Sequence, residues 1–348
     1  MRLFPNRCPR ALVLWCVVVP VGAAAHHSQA EYDRTVVKEL EGQVVKVTWS
    51  NPHVGLTIRT RGPNGTDELW QMGAADLIST VRRGVPANMG LAVGDAVKVA
   101  GYVSTRRPGR MLVTNVLTPG GTEVLLVQTD PRWSDRTVGG GQWLDDAAVA
   151  AAAKPRGIFR VWTLDKTVRP PYADNPPLTA AARAGHAEYD PVVDDPALQC
   201  MSIGMPRAIT RTGPHPIEFV ERDGNIHILM EYFDLERVIH MDSQVDVTDV
   251  PASALGYSVG RWEDGALIVT TTRINWPYFD IRDLEGVPQS EAVEILERFI
   301  LSADETELSY DITVTDPAMF TEPVAAPGYA LWRWRPGVRV EPYECRLE

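Results

Sequence analysis

Residues 307–316 read ELSYDITVTD. Leu308, Tyr310, Ile312 and Val314 alternate with Ser309, Asp311, Thr313 and Thr315, so one face is apolar and the other polar. That period of two predicts an antiparallel strand with one face buried. Its neighbours repeat the pattern. EAVEILERFIL (291–301) leads into it through SADET (302–306), and YALWRWR (329–335) follows. Further upstream, PIEFVER and NIHILMEYFD meet at Asp223-Gly224, and GYSVGRWE and ALIVTTTRIN meet at Asp264-Gly265. Both dipeptides favour tight hairpins. With ERVIHMD between these pairs and GIFRVWTLD (157–165) as a first strand, the region 157–348 predicts eight to nine strands. Sequential hairpins of that number favour an up-and-down antiparallel barrel wide enough for one small ligand. No fixed repeat occurs, and the uneven strand lengths disfavour a propeller.

A second all-β unit is expected over 26–128. In GQVVKVTWSNPHVGLTIRT (42–60), Val45, Val47 and Trp49 share one face; after Asn51-Pro52, Val54, Leu56 and Ile58 share another. RGPNGTDELWQM is a hairpin with Asn64-Gly65 at its tip, and AADLISTVRRG is the single helical candidate, stopped by Gly84. GLAVGDAVKVAGYV and GRMLVTNVLTPGG supply two more strands. Five or so strands and one helix outline a small OB-like barrel. Nucleic-acid binding on such a barrel needs basic and stacking residues on the strand face, and those are missing. Residues 129–156, with a glycine triplet and an alanine-rich run, read as a linker with a short helix. The proline-rich stretch 169–200 reads as an arm over the second barrel.

Residues 1–25 combine Arg2, Arg7 and Arg10 with a short apolar run ending in small residues. This predicts a cleaved signal peptide rather than a membrane span, and a periplasmic or secreted protein. The net charge of −11 becomes three charges more negative without that leader, which argues against nucleic acid and anionic membranes as partners. After cleavage Cys200 and Cys345 remain, an even pair that reads as one disulfide in an oxidising compartment, with two buried thiols as the alternative. Closing so long a loop contributes about 4 kcal/mol in the chain-entropy account.

Two stretches carry a resemblance. AHHSQAEYD, the NPH of 51–53, RRG (82–84) and VGDAVKVAGY resemble an uncharacterised exported bacterial domain over about 25–120. PPLTAAARAGHAEYDPVVDDPALQCMSIGMPRAI through GYSVGRWEDGALIVTTT, ITVTDPAMFTEP and EPYEC look like an uncharacterised secreted module over about 157–348. With the meander, that resemblance implies a lipocalin-like barrel. The module usually continues from Met-Asp into Gly-Arg-x-His-Pro, whereas this chain reads MDSQVDVTD. Neither resemblance implies a reaction.

Three groups of residues carry candidate chemistry. His26 and His27 stand at the expected new N-terminus, where an α-amine and imidazoles would bind copper, with His53 as a third nitrogen. Against this stands a frayed terminus with His53 capping a bent strand. Glu231, Tyr232, Arg237 and His240 lie on consecutive strands with partly apolar faces. A carboxylate, a phenol and an imidazole in an apolar barrel are the ingredients of cofactor-free isomerase- or lyase-type proton chemistry. The competing reading is a structural Glu231–Arg237 pair. Arg261 and Trp262 in GRWEDG are expected either as a stacked pair supporting the tight turn or as ligand contacts, while Trp276, Tyr278, Trp332 and Trp334 are expected to line the mouth of an apolar pocket or to plug a barrel end. No phosphate loop, dinucleotide fingerprint, nucleophile elbow or zinc-protease signature occurs. The expected function is therefore an exported protein holding an apolar small molecule, either as an acid–base enzyme or as a non-catalytic carrier or copper-binding module.

Overall fold

The computed structural model describes residues 31–127, 129–140, 150, 153–165, 176–241, 243–281 and 284–346. The expected signal peptide, His26, His27 and the expected linker helix lie outside the described residues.

The chain forms two closed β-barrels. In the first, β1 (Tyr32–Thr48), β2 (Gly55–Arg61), β3 (Asp67–Gly73), β4 (Ala96–Ser104) and β5 (Arg110–Leu117) close in the order β1-β2-β3-β5-β4. The β3–β5 pair is parallel, and α1 (Leu77–Arg82) sits between β3 and β4, giving the OB-like barrel expected. The β2–β3 hairpin turns at Gly65, whose φ of 76° suits glycine. Asp76 caps α1, accepting from the Ser79 amide at 2.7 Å, and Gly84 ends it at φ 80°. In β1 a register shift between Val44 and Lys46 moves the inward face by one residue, so Val44 rather than Val45 joins Val47 and Trp49 on the core.

The first barrel also extends past the expected boundary at 128. β6 (Glu123–Leu125) pairs in parallel with β7 (Thr137–Gly139). The buried Glu123 carboxylate accepts from the amides of Arg132 at 2.8 Å, Trp133 at 2.8 Å and Ser134 at 3.0 Å. Residues 129–140 are thus part of the first domain rather than free linker. The sequence offered no periodic pattern there because one carboxylate, not an apolar face, holds the segment.

The second barrel closes nine strands: β8 (Val161–Leu164), β9 (Ile217–Arg222), β10 (Asn225–Met230), β11 (Leu235–Met241), β12 (Tyr257–Glu263), β13 (Ala266–Thr272), β16 (Glu294–Leu301), β17 (Glu307–Thr315) and β18 (Val324–Trp334). β14 (Tyr278–Ile281) and β15 (Leu284–Pro288) form a separate hairpin between β13 and β16. Both Asp-Gly hairpins are as read: φ is 52° and 75° at Asp223-Gly224, and 50° and 80° at Asp264-Gly265. The barrel departs from a strict meander at one pair, β11–β12, which is parallel because the chain crosses back through 243–256.

The lumen is filled by the chain itself. Trp162, Phe219, Arg237, Phe299, Tyr310 and Trp332 are each less than 2 % exposed. Phe299 contacts Tyr310 at 4.9 Å, Phe219 at 5.4 Å and Trp332 at 6.2 Å between ring centroids. Arg237 crosses the centre. It donates to Glu297 Oε1 at 2.9 Å, to Glu297 Oε2, to Ser258 Oγ at 3.0 Å and to Thr271 Oγ1 at 2.7 Å, while Tyr310 donates to Glu297 at 2.9 Å. Burial works to lower the Arg237 pKa, but Glu297 outweighs it and the net shift is upward. The central space expected for a guest is taken by this satisfied ion pair and five aromatic side chains.

One end of the barrel is plugged by the β14–β15 hairpin, α2 (Ala180–Glu188) and α3 (Arg207–Thr210). Arg207 pairs with Asp195 at 2.7 and 3.0 Å there. No helix among the described residues is long and apolar enough to cross a membrane.

Candidate functional site

The opposite end of the second barrel carries an apolar recess. Its floor is Phe299, near the end of β16, backed by Trp332. Ile158, Phe159, Trp262 and Leu301 form the walls, and Arg156, Gly157 and Gly265 the rim. The volume is about 160 Å³. Sequence explains how this lip is held. Glu305, in the β16–β17 turn, accepts from the amides of Arg156 at 2.9 Å and Gly157 at 3.1 Å and from Arg160 Nη2 at 2.9 Å. Arg160 also lies over the Trp334 ring at 4.5 Å, and the Trp162 indole donates to the Ile158 carbonyl at 2.8 Å. The segment 156–160 is therefore stapled across the barrel mouth, while half-exposed Trp262 stands on the facing hairpin. The lining is mostly hydrocarbon, with the Arg156 side chain the one charged group at its rim.

The second notable centre lies where the first barrel docks on the plugged end. Arg82, in the last turn of α1, donates to Glu231 Oε1 at 2.7 Å and Oε2 at 2.6 Å. Glu231 also accepts from the Glu341 amide at 2.9 Å and lies 3.1 Å from His215 Nδ1. On its other side His215 Nε2 is 3.9 Å from Asp76. Tyr232 stacks on His215 at 5.0 Å and Tyr343 meets its edge at 5.1 Å. Burial works to raise the Asp76 pKa, but His215 and Ser79 outweigh it and hold the carboxyl below its usual range. Burial pushes the Tyr232 phenol up, so it keeps its proton. A second, more exposed pair, Arg106–Asp190 at 2.7 Å, joins the same two barrels.

The structure separates the residues proposed for acid–base chemistry. Glu231 is fully buried between the barrels with its oxygens taken by Arg82, Glu341 and His215. Tyr232 is beside it. Arg237 is inside the lumen on Glu297, so the expected Glu231–Arg237 pair does not form. His240 is on the outer surface, stacked on Tyr257 at 4.4 Å. Of the aromatic set, Trp262 lines the recess and Trp332 backs its floor. Trp334 holds Arg160 beside it. Trp276 and Tyr278 instead pack at the plugged end, 6.5 Å apart, and Arg261 pairs with Glu263 at 2.8 Å. His53 is half-buried beside Asp76, and burial lowers its pKa against the pull of that carboxylate. Among the described residues, no group of three or more metal-ligating side chains forms. Cys200 and Cys345 form the disulfide, with Cα atoms 5.7 Å apart.

Sequence reading missed Arg82, Asp76 and His215 as a unit. Arg82 lies in the RRG motif and Asn51 in NPH, but nothing local says that both face another domain. Glu297 had a visible signal: it shares an apolar face with Ile295 and Phe299, just as Arg237 shares one with Leu235 and Ile239. Two opposite charges on two inward faces announce each other.

Residues 14–111 match a family of unknown function, DUF6152. The match ends inside β5 and leaves the second barrel outside it. No curated protein and no solved structure matches the chain.

Proposed function

We propose that this is an exported, non-catalytic binding protein whose second barrel holds one small apolar, ring-sized molecule at its mouth. The observation that carries the reading is the hydrocarbon-walled recess of about 160 Å³ between Phe159, Trp262, Phe299 and Leu301. The recess is open to solvent on one side, and its volume suits one aromatic ring laid against Phe299. A carrier is preferred over an isomerase or lyase because Glu231, Tyr232, Arg237 and His240 do not converge on any shared space. Export rests on the leader, and on a disulfide that suits an oxidising compartment.

The test is ligand-observed magnetic resonance with toluene and with indole, on the wild type and on Leu301→Trp, which fills the recess from its wall. Binding in the range of about 0.1–1 mM is expected for a ligand of so few atoms, and Leu301→Trp should abolish it. Equal binding to both proteins, or none to the wild type, overturns the reading.

A further inference from the structure

We propose that the Asn51–Arg82 face of the first barrel is a receptor for an extended peptide, and that its occupant is this chain's own segment 339–346. The segment crosses the junction as a strap with a partner at nearly every step. Arg82 Nη2 donates to the Arg339 carbonyl at 2.7 Å. The Asn51 side chain donates to the Tyr343 carbonyl, and the Arg346 amide returns to the Asn51 carbonyl at 3.1 Å. Asn51 and Cys345 form a parallel β-bridge. Asn51 is itself oriented by the Leu77 amide, which donates to its Oδ1 at 2.9 Å. A buried side-chain amide and a guanidinium reading main-chain carbonyls, plus a strand-like bridge, make up the chemistry of peptide capture by an exposed backbone.

The second barrel grips the other side of the same segment. Glu231 accepts from the Glu341 amide at 2.9 Å, and Asp234 from the amides of Tyr343 at 2.7 Å and Glu344 at 3.1 Å. The Tyr343 ring, 2 % exposed, inserts among His215, Tyr232 and Phe233. The Cys200–Cys345 bond ties the strap's end to the second barrel. The main chain leaving β18 at Trp334 already holds the segment close, so the disulfide adds a second anchor and none of the hydrogen bonds named above. A dithiol reductant delivers two electrons and two protons, splits the S–S bond into two thiols and itself closes to a disulfide. The strap then remains docked through Asn51, Arg82, Glu231, Asp234 and the buried Tyr343 ring.

Hydrogen exchange on the full chain tests this, oxidised and after reduction by a dithiol. In the reduced wild type the amides of Glu341, Tyr343 and Arg346 should lose less than tenfold of their protection. In reduced Asn51→Ala/Arg82→Ala the Arg346 amide should lose at least a hundredfold and those of Glu341 and Tyr343, still facing Glu231 and Asp234, at least tenfold, while the amides of β13 and β17 stay protected. If reduction alone strips the strap, or the double variant leaves it protected, the proposal is overturned. Should the double variant fail to fold, the full-length Arg82→Lys variant is read by the same exchange after reduction. At least a tenfold greater loss of protection at the Glu341 amide than in the reduced wild type supports the receptor, and protection equal to the wild type overturns it.

Discussion

Arg82 and Glu231 stand 149 positions apart in sequence and meet as a two-point ion pair between the barrels, at 2.7 and 2.6 Å. Glu231 is fully buried, whereas the Arg82 side chain is 16 % exposed. Loss of the cation therefore strands a charge more severely than loss of the carboxylate. Arg82→Met is expected to cost stability toward the lower end of the roughly 3–5 kcal/mol typical of a broken buried pair, because the Glu341 amide still solvates Glu231. Glu231→Gln should cost less. Urea unfolding of both variants checks the order.

The lumen pair gives a sharper contrast. Arg237 and Glu297 are both within 1 % of complete burial. Arg237→Met or Glu297→Gln alone should lose about 3–5 kcal/mol, while Arg237→Met with Glu297→Leu should recover most of it, since an apolar pair needs no solvation. A double-mutant cycle by thermal and urea melts reads the coupling.

Acid should destabilise the first barrel in two windows. Burial depresses the His53 pKa from its ordinary 6.5, so the folded state favours neutral histidine. Its contribution is complete above about pH 6.5 and is lost as pH falls through the folded value. Asp76 is likewise depressed, so its contribution is complete above its ordinary 3.8 and is lost below it. Both push in one direction: the Tm should fall from pH 7 to 5 and again below pH 4. His53→Asn should flatten the first decline and leave the second.

Gly286 has φ 75°, and a Cβ there would come within 2.1 Å of the Tyr189 ring. Backbone strain and overlap act together, so Gly286→Ala should destabilise by at least about 1–3 kcal/mol. Gly65 has a similar φ of 76° but open space around it, and Gly65→Ala should cost less. Parallel thermal melts separate the steric term from the conformational one.

The strands of both barrels were legible because each buries one face, and alternation in stretches such as 307–316 records that burial directly. The two Asp-Gly hairpins and the Gly84 helix stop were legible for local conformational reasons. Less legible were features set by single polar contacts over long range. Glu123 recruits 129–140 without periodicity, and Arg82 reaches Glu231 across domains. The bulge at Val44–Lys46 also defeated strict alternation. Aromatic residues misled for a different reason. Trp332 and Trp276 are ring-bearing near strand ends, yet one backs the recess from inside and the other plugs the far end. Sequence gives their apolarity but not which end they reach.

The most direct test of the binding account is a xenon-pressurised crystal, because xenon settles against apolar surfaces without needing a known ligand. The account predicts a single strong xenon peak between Trp262, Phe159 and Phe299. A peak in the barrel centre beside Arg237, or no peak at the mouth, would contradict it.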